Sequence, residues 1–137
     1  SITDTTFSQI VAKNGGAIYI NHQGTSGLNA SITIERISCV GSVAFLHGGG
    51  IYLQTDANVT FQDNSFTTNF TLSNKDTTTL DGQGAGVWYQ ASTCNEQFTI
   101  AKTKFIGNVA SSGGGIQWHK CEPVFDFETL TFHSNSA

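Results

Sequence analysis

Charge is scarce in this chain. Only 12% of its 137 residues are Asp, Glu, Lys or Arg, and the formal net charge is −4. So few charges give no electrostatic drive toward nucleic acid or anionic membrane, both of which are bound through basic patches. Ser, Thr, Asn, Gln and Gly fill the exposed positions instead, a neutral surface suited to carbohydrate, glycan decoration or packing on a like surface. Proline occurs once and methionine not at all. With no initiator methionine and no signal-type leader, the chain reads as a mature or excised piece. No stretch is long and apolar enough to span a bilayer, so membrane insertion is not expected. No window carries apolar residues at the helical period, and the Gly-Gly pairs argue against a helical solenoid. The length allows one domain, residues 1–137.

What the chain does have is a recurring phrase. Phe7-Ser-Gln-Ile-Val-Ala-Lys-Asn-Gly-Gly-Ala-Ile18 and Phe105-Ile-Gly-Asn-Val-Ala-Ser-Ser-Gly-Gly-Gly-Ile116 place Phe, Ala, the Gly pair and Ile at the same offsets. A third copy runs from Cys39 to Ile51 with one extra residue. A fourth runs from Phe66 to Val87 through a long insertion, and a fifth begins at Phe132. The lead residues are Phe7, Cys39, Phe66, Phe105 and Phe132. The steps from Cys39 to Phe66 and from Phe105 to Phe132 are equal and the shortest, so they define the basic unit. The first and third units are longer and carry insertions. Repetition of this kind means one structural element stacked on itself.

The repeating segments are β in character. Ile18-Tyr-Ile20, Ile51-Tyr-Leu53, Val87-Trp-Tyr89 and Ile116-Gln-Trp118 are short, rich in β-branched and aromatic residues, and alternate. Strands at matching positions in successive units lie parallel at about 4.8 Å, which makes an all-β parallel β-helix of four to five coils with three strands in each. Three inward ladders are expected: Phe7/Cys39/Phe66/Phe105/Phe132, Ile18/Ile51/Val87/Ile116, and Ile2/Ile34/Phe61/Ile100/Phe127. The glycines fall at the corner before the inward Ile, where positive φ or close backbone approach excludes a Cβ. Asn69, Asn108 and Asn135 align as well, and stacked amides can bond to one another up the coils.

Gly15-Gly-Ala-Ile18, with Phe-x-x-Asn at 66–69, 105–108 and 132–135, resembles the repeats of the chlamydial polymorphic membrane proteins and similar surface proteins of protists and algae. The resemblance covers nearly the whole chain and implies a right-handed parallel β-helix of adhesin type. Ile10 and Ser42 stand where that pattern expects Asn.

Cys94 and Cys121 stand one basic unit apart, as do Ile100 and Phe127, so the two cysteines occupy equivalent points on adjacent coils. Stacked strands bring Cα atoms to about 5 Å, inside disulfide range. A Cys94–Cys121 bond is predicted, contributing about 3 kcal/mol if loop entropy dominates. Cys39 is predicted to be a buried free thiol in the Phe ladder. The alternative is three unrelated reduced cysteines. Three sequons occur, at Asn29, Asn58 and Asn69. Asn29 and Asn58 are expected to be exposed, and Asn69, in the aligned Asn row, less so. Sequons and a disulfide together favour a eukaryotic extracellular or cell-surface protein.

Enzyme chemistry is not expected. Polysaccharide cleavage needs paired carboxylates or a calcium site with a base. Asp126 and Glu128 flank inward Phe127, but Gln62 and Ala101 interrupt the stripe down to Glu35, so a solvated strand face is favoured. Lys102 and Lys104 have no catalytic partner. His22, His47, His119 and His133 fall at unlike phases of the repeat, so neither a metal site nor a cofactor is expected. A Thr33/Thr60/Thr99 row of ice-binding type is broken by Asp126. Tyr19, Tyr52 and Trp88 form an outward column next to the glycine corners, either a sugar- or protein-contact surface or a surface covered by the 71–83 insertion.

The same phase of the coil recurs at both ends, with Ile2 and Phe7 at one and Phe127 and Phe132 at the other. Such ends invite head-to-tail stacking of copies into a filament, or continue into neighbouring coils of a longer chain. The expected function is thus a glycosylated extracellular structural or adhesive β-helix building a surface filament or layer. The alternative is an adhesin or carbohydrate-binding module of a longer surface protein.

Overall fold

Short β-branched and aromatic runs separated by turns build four parallel sheets around one core. A computed structural model describes residues 1–22, 30–72, 82–91, 97–119 and 124–137, and among these there is no helix. The first coil holds β1 (Ile2–Thr3), β2 (Thr6–Ser8), β3 (Val11–Asn14) and β4 (Ile18–His22). The second holds β5 (Ser31–Glu35), β6 (Ser38–Val40), β7 (Val43–His47) and β8 (Ile51–Thr55). The third holds β9 (Asn58–Gln62), β10 (Ser65–Thr67), β11 (Phe70–Thr71) and β12 (Val87–Gln90). Above them lie β13 (Gln97–Ala101), β14 (Lys104–Ile106) and β15 (Ile116–His119), then β16 (Val124–Glu128) and β17 (Thr131–His133). The first face stacks β1-β5-β9-β13-β16 and the second β2-β6-β10-β14-β17. The third stacks β3-β7-β11 and the fourth β4-β8-β12-β15. Each strand bonds only to the strands one coil above and below, which is a parallel β-helix.

The register reproduces all three ladders. Phe66 pairs with Cys39 and Phe105, and Phe105 with Phe132. Ile34 pairs with Phe61, Ile100 with Phe127, and Val87 with both Ile51 and Ile116. The rings of Phe66, Phe105 and Phe132 stack at 5.2 and 5.0 Å. Ile34, Phe61, Phe66, Ile100 and Phe105 are fully buried in one continuous core.

Positive φ marks the corners. Asp4, Arg36, Asp63, Lys102 and Thr129 form one column of left-handed residues, and Gln9, Gly41, Thr68, Gly107 and Ser134 a second. Gly15, Gly48, Gly84 and Gly113 form the third, where a Cβ on Gly15 would sit 2.2 Å from the Ile18 carbonyl oxygen. Only this last column requires glycine throughout. At the other two, polar side chains tolerate the conformation in the open.

Four strands in each of the first three coils, where three were expected, is a correction to the sequence reading. The extra face lies between the Asn corner and the glycine corner. Its inward residues are Ala12, Ala44, Thr71 and Ala110, too small to show as an apolar ladder. They are small because the glycine corner folds back onto this face: a Cβ on Gly49 would lie 2.5 Å from the Phe70 carbonyl oxygen. Backbone, not side chains, fills that part of the interior.

The aligned amides form the expected ladder. Asn69 donates from its backbone N and from Nδ2 to Asn108 Oδ1, both at 3.0 Å. Asn108 does the same to Asn135 Oδ1 at 3.0 and 2.9 Å. Each Nδ2 also donates to a carbonyl one coil down, that of Cys39, Phe66 or Phe105. Ser42 takes the place below, its N–H donating to Asn69 Oδ1. A second buried amide, Asn64, does similar work at the first corner, accepting from Ile37 N and donating to Ile34 O, each at 2.9 Å.

Candidate functional site

Within residues 1–137 the outermost coils leave ladder residues uncovered. Phe127 is 51% exposed and Phe132 55% exposed, although their ladder neighbours Ile100 and Phe105 are fully buried. β16 and β17 are the edge strands of their faces at one axial end, and β1 and β2, carrying half-buried Ile2 and Phe7, are the edge strands at the other. An edge strand presents a row of backbone donors and acceptors to whatever lies beyond it. The four residues singled out from the sequence therefore lie at the two ends of the stack.

The aromatic column forms in register. Tyr19 and Tyr52 stack at 4.8 Å and Tyr52 and Trp88 at 4.5 Å, with rings within 12° of parallel. Of the two alternatives, open surface or cover by the 71–83 insertion, the exposures divide along the column. Tyr19 is 53% exposed, whereas Tyr52 is 7% and Trp88 4% exposed. The turn before each glycine corner leans over the rings: His47 stacks on Trp88 at 5.0 Å, and Trp88 Nε1 donates to Gln83 Oε1. Tyr52 donates its hydroxyl to Gln54 Oε1 at 2.9 Å. Burial, and then the neighbouring Tyr19, raise the Tyr52 hydroxyl above the usual phenol range. Tyr19 alone of the three presents an open ring for sugar or protein contact.

The modification sites separate by burial. Asn58 opens β9 and is exposed, its Oδ1 accepting from Gln97 N at 3.0 Å. Asn69 is fully buried with both amide atoms bonded, so its sequon cannot carry a glycan in the folded chain. The amide ladder and the glycan compete for the same nitrogen. Asn29, Cys94 and Cys121 lie outside the described residues. Cys39 is a free, fully buried thiol in the Phe ladder, and desolvation pushes its pKa up to about 12. A raised folded pKa means that the unfolded thiol loses its proton first as pH rises. Stability from Cys39 is therefore complete at neutral pH and falls from the unfolded pKa upward. Between pH 9 and pH 10 we expect the parent chain to lose about 1 kcal/mol more stability than Cys39→Ala does, measured by denaturant unfolding. Equal slopes for the two proteins would contradict this burial.

The remaining polar groups are dispersed. Asp126 pairs in register with Thr99, and Glu128 with Ala101, so neither faces a carboxylate in the coil below. The Thr33/Thr60/Thr99 row is a single column ended by Asp126. A shallow hollow of about 360 Å³ at the first corner is lined by Asp63, Asn64, Ser65, Lys102, Lys104, Thr129 and Thr131. The left-handed column at this corner alternates in sign, with Asp4, Arg36, Asp63 and Lys102 on successive coils. Sequence reasoning missed that pattern because the residue type changes from coil to coil and so shows no repeat. Arg36 forks onto Asp4 at 2.5 and 2.8 Å and also contacts Glu35, and its hydrogen bonds hold the Asp4 carboxyl below the usual range. Among the described residues, no group of three or more His, Cys, Asp or Glu is placed to hold a metal.

Residues 4–21 match the sequence model of the Chlamydia polymorphic membrane protein (Chlamydia_PMP) repeat. The matched segment runs from the first corner through β2 and β3 to β4, so it contains the Phe7 position, the glycine corner and Ile18. The chain thus carries a repeat of this type. No curated protein and no solved structure matches it.

Proposed function

We propose that this chain is a structural or adhesive β-helix of a cell surface that extends by pairing the open strands of a terminal coil with a further coil. That coil belongs either to a second copy or to the same, longer polypeptide. The observation carrying this reading is the exposure of Phe127 and Phe132 on edge strands, in register with ladders that are otherwise buried. A further coil would bury both rings and satisfy the edge backbone. The matched repeat, that of a membrane-protein family, supports a surface- or outer-membrane-associated setting. A glycan at Asn58 would sit outside the core and leave the stack intact. The role is mechanical and adhesive rather than catalytic.

Electron microscopy of the purified chain tests the self-pairing form. Filaments with an axial repeat of about 20–24 Å, four to five coils, are expected, and Phe132→Asp should abolish them. Particles of one coil stack at every concentration would remove self-pairing. The second reading, a carbohydrate-binding module, rests on the open ring of Tyr19 backed by Tyr52. Glycan-array binding lost in Tyr19→Ala would favour it.

A further inference from the structure

The third face of the coil is built inside out. Its inward positions hold Ala12, Ala44, Thr71 and Ala110, while its outward positions hold Val11, Val43, Phe70 and Val109, in register on successive coils. Phe45 and Leu72 extend this apolar stripe sideways, and Val11 is 63% exposed. The interior does not require these large side chains, because backbone from the glycine corners already fills it. Lys13 is the one charged residue in the described strands of the face. A contiguous apolar strip on a folded surface marks an interaction site.

We propose that this stripe is a lateral interface with the same stripe of a second copy, packed sheet face to sheet face. Two observations select this occupant. The stripe repeats at the coil spacing, so another coil stack offers side chains at matching intervals that can interdigitate, as in paired parallel sheets. The face also lacks the basic cluster that would draw it to an anionic lipid surface. Four coils by one strand length give about 300 Å² of stripe. A stable dimer needs about 800 Å² from each partner, so single copies associate weakly and aligned rows of copies associate strongly. The contact is lateral: single copies form it weakly even where axial pairing is blocked, and axial pairing strengthens it.

The test is sedimentation equilibrium with small-angle scattering on the whole chain, from about 10 µM to about 1 mM. Phe132→Asp is included as a background in which axial pairing is blocked. The expected result is a concentration-dependent particle of doubled cross-section and unchanged length, in both the parent and the Phe132→Asp background. Phe45→Ser with Phe70→Ser should weaken that association by at least about tenfold. Both side chains point outward, so the fold should persist, with circular dichroism as the check. Val11→Lys, at the most exposed position, is the second variant and should give the same loss by placing like charges opposite each other. Three results would overturn the proposal: no widening up to the highest concentration, association unchanged in both variants, or capture on phosphatidylcholine vesicles without self-association.

Discussion

Asn108→Ala should cost about 4 kcal/mol in urea unfolding, more than any other single side-chain change on the amide ladder. The side chain is fully buried and sits between two neighbours. Its Oδ1 accepts from the backbone N and Nδ2 of Asn69, and its Nδ2 donates to Phe66 O and Asn135 Oδ1. Alanine leaves the Asn69 backbone N–H and one Asn69 Nδ2–H without their acceptor in a space that water does not reach, and each such group costs about 1–3 kcal/mol. Asn135→Ala is the control. Asn135 is half-buried at the open end of the ladder, so water can replace what is lost there, and about 1–2 kcal/mol is expected. Equal losses at the two positions would mean that the amides do not act as a buried ladder.

Gly49→Ala should cost about 3 kcal/mol or more, although it adds one methyl group. The new Cβ would lie 2.5 Å from two carbonyl oxygens of the next coil, those of Ala85 at the glycine corner and Phe70 on the third face. Neither oxygen sits on a flexible side chain, so the backbone of two coils has to move. Gly107→Ala separates this crowding from conformational strain. Its φ is +62°, but the nearest atom to a Cβ there is Thr68 Cγ2 at 3.5 Å. Only the left-handed conformation is then penalised, by about 1 kcal/mol, and thermal unfolding should rank the two variants in that order.

The fold was legible because spacing carries register in a coil stack. Once Phe7, Cys39, Phe66, Phe105 and Phe132 are aligned, the two other apolar ladders follow, and the pairings agree residue for residue. The third face was not legible because its inward residues are Ala and Thr, which read as turn composition beside the glycines. Asn64 was missed for a different reason. Its column holds Ile37 below and Thr103 above, so no repeated residue type marks it. At the candidate site, alternation correctly put Tyr19, Tyr52 and Trp88 on the outer side of their strands. It left open whether the 71–83 insertion covers them: Gln83 at the end of that insertion does reach Trp88, whereas the stacking of His47 on Trp88 was not anticipated. The Asn69 sequon and the Asn ladder occupy one residue, and the ladder geometry decides between them. The apolar stripe of Val11, Val43, Phe70 and Val109 escaped notice because β-branched and aromatic residues in a strand are read first as core.

Stacking of the coils is tested most directly by ring-to-ring nuclear Overhauser effects in the Phe ladder. Phe105 lies 5.2 Å from Phe66 and 5.0 Å from Phe132 by ring centroid, on opposite sides. Strong effects from Phe105 to both rings, with none between Phe66 and Phe132 at about twice that spacing, are the expected result. A chain in which Phe105 touches neither ring, or in which Phe66 and Phe132 touch each other, is not built of these coils.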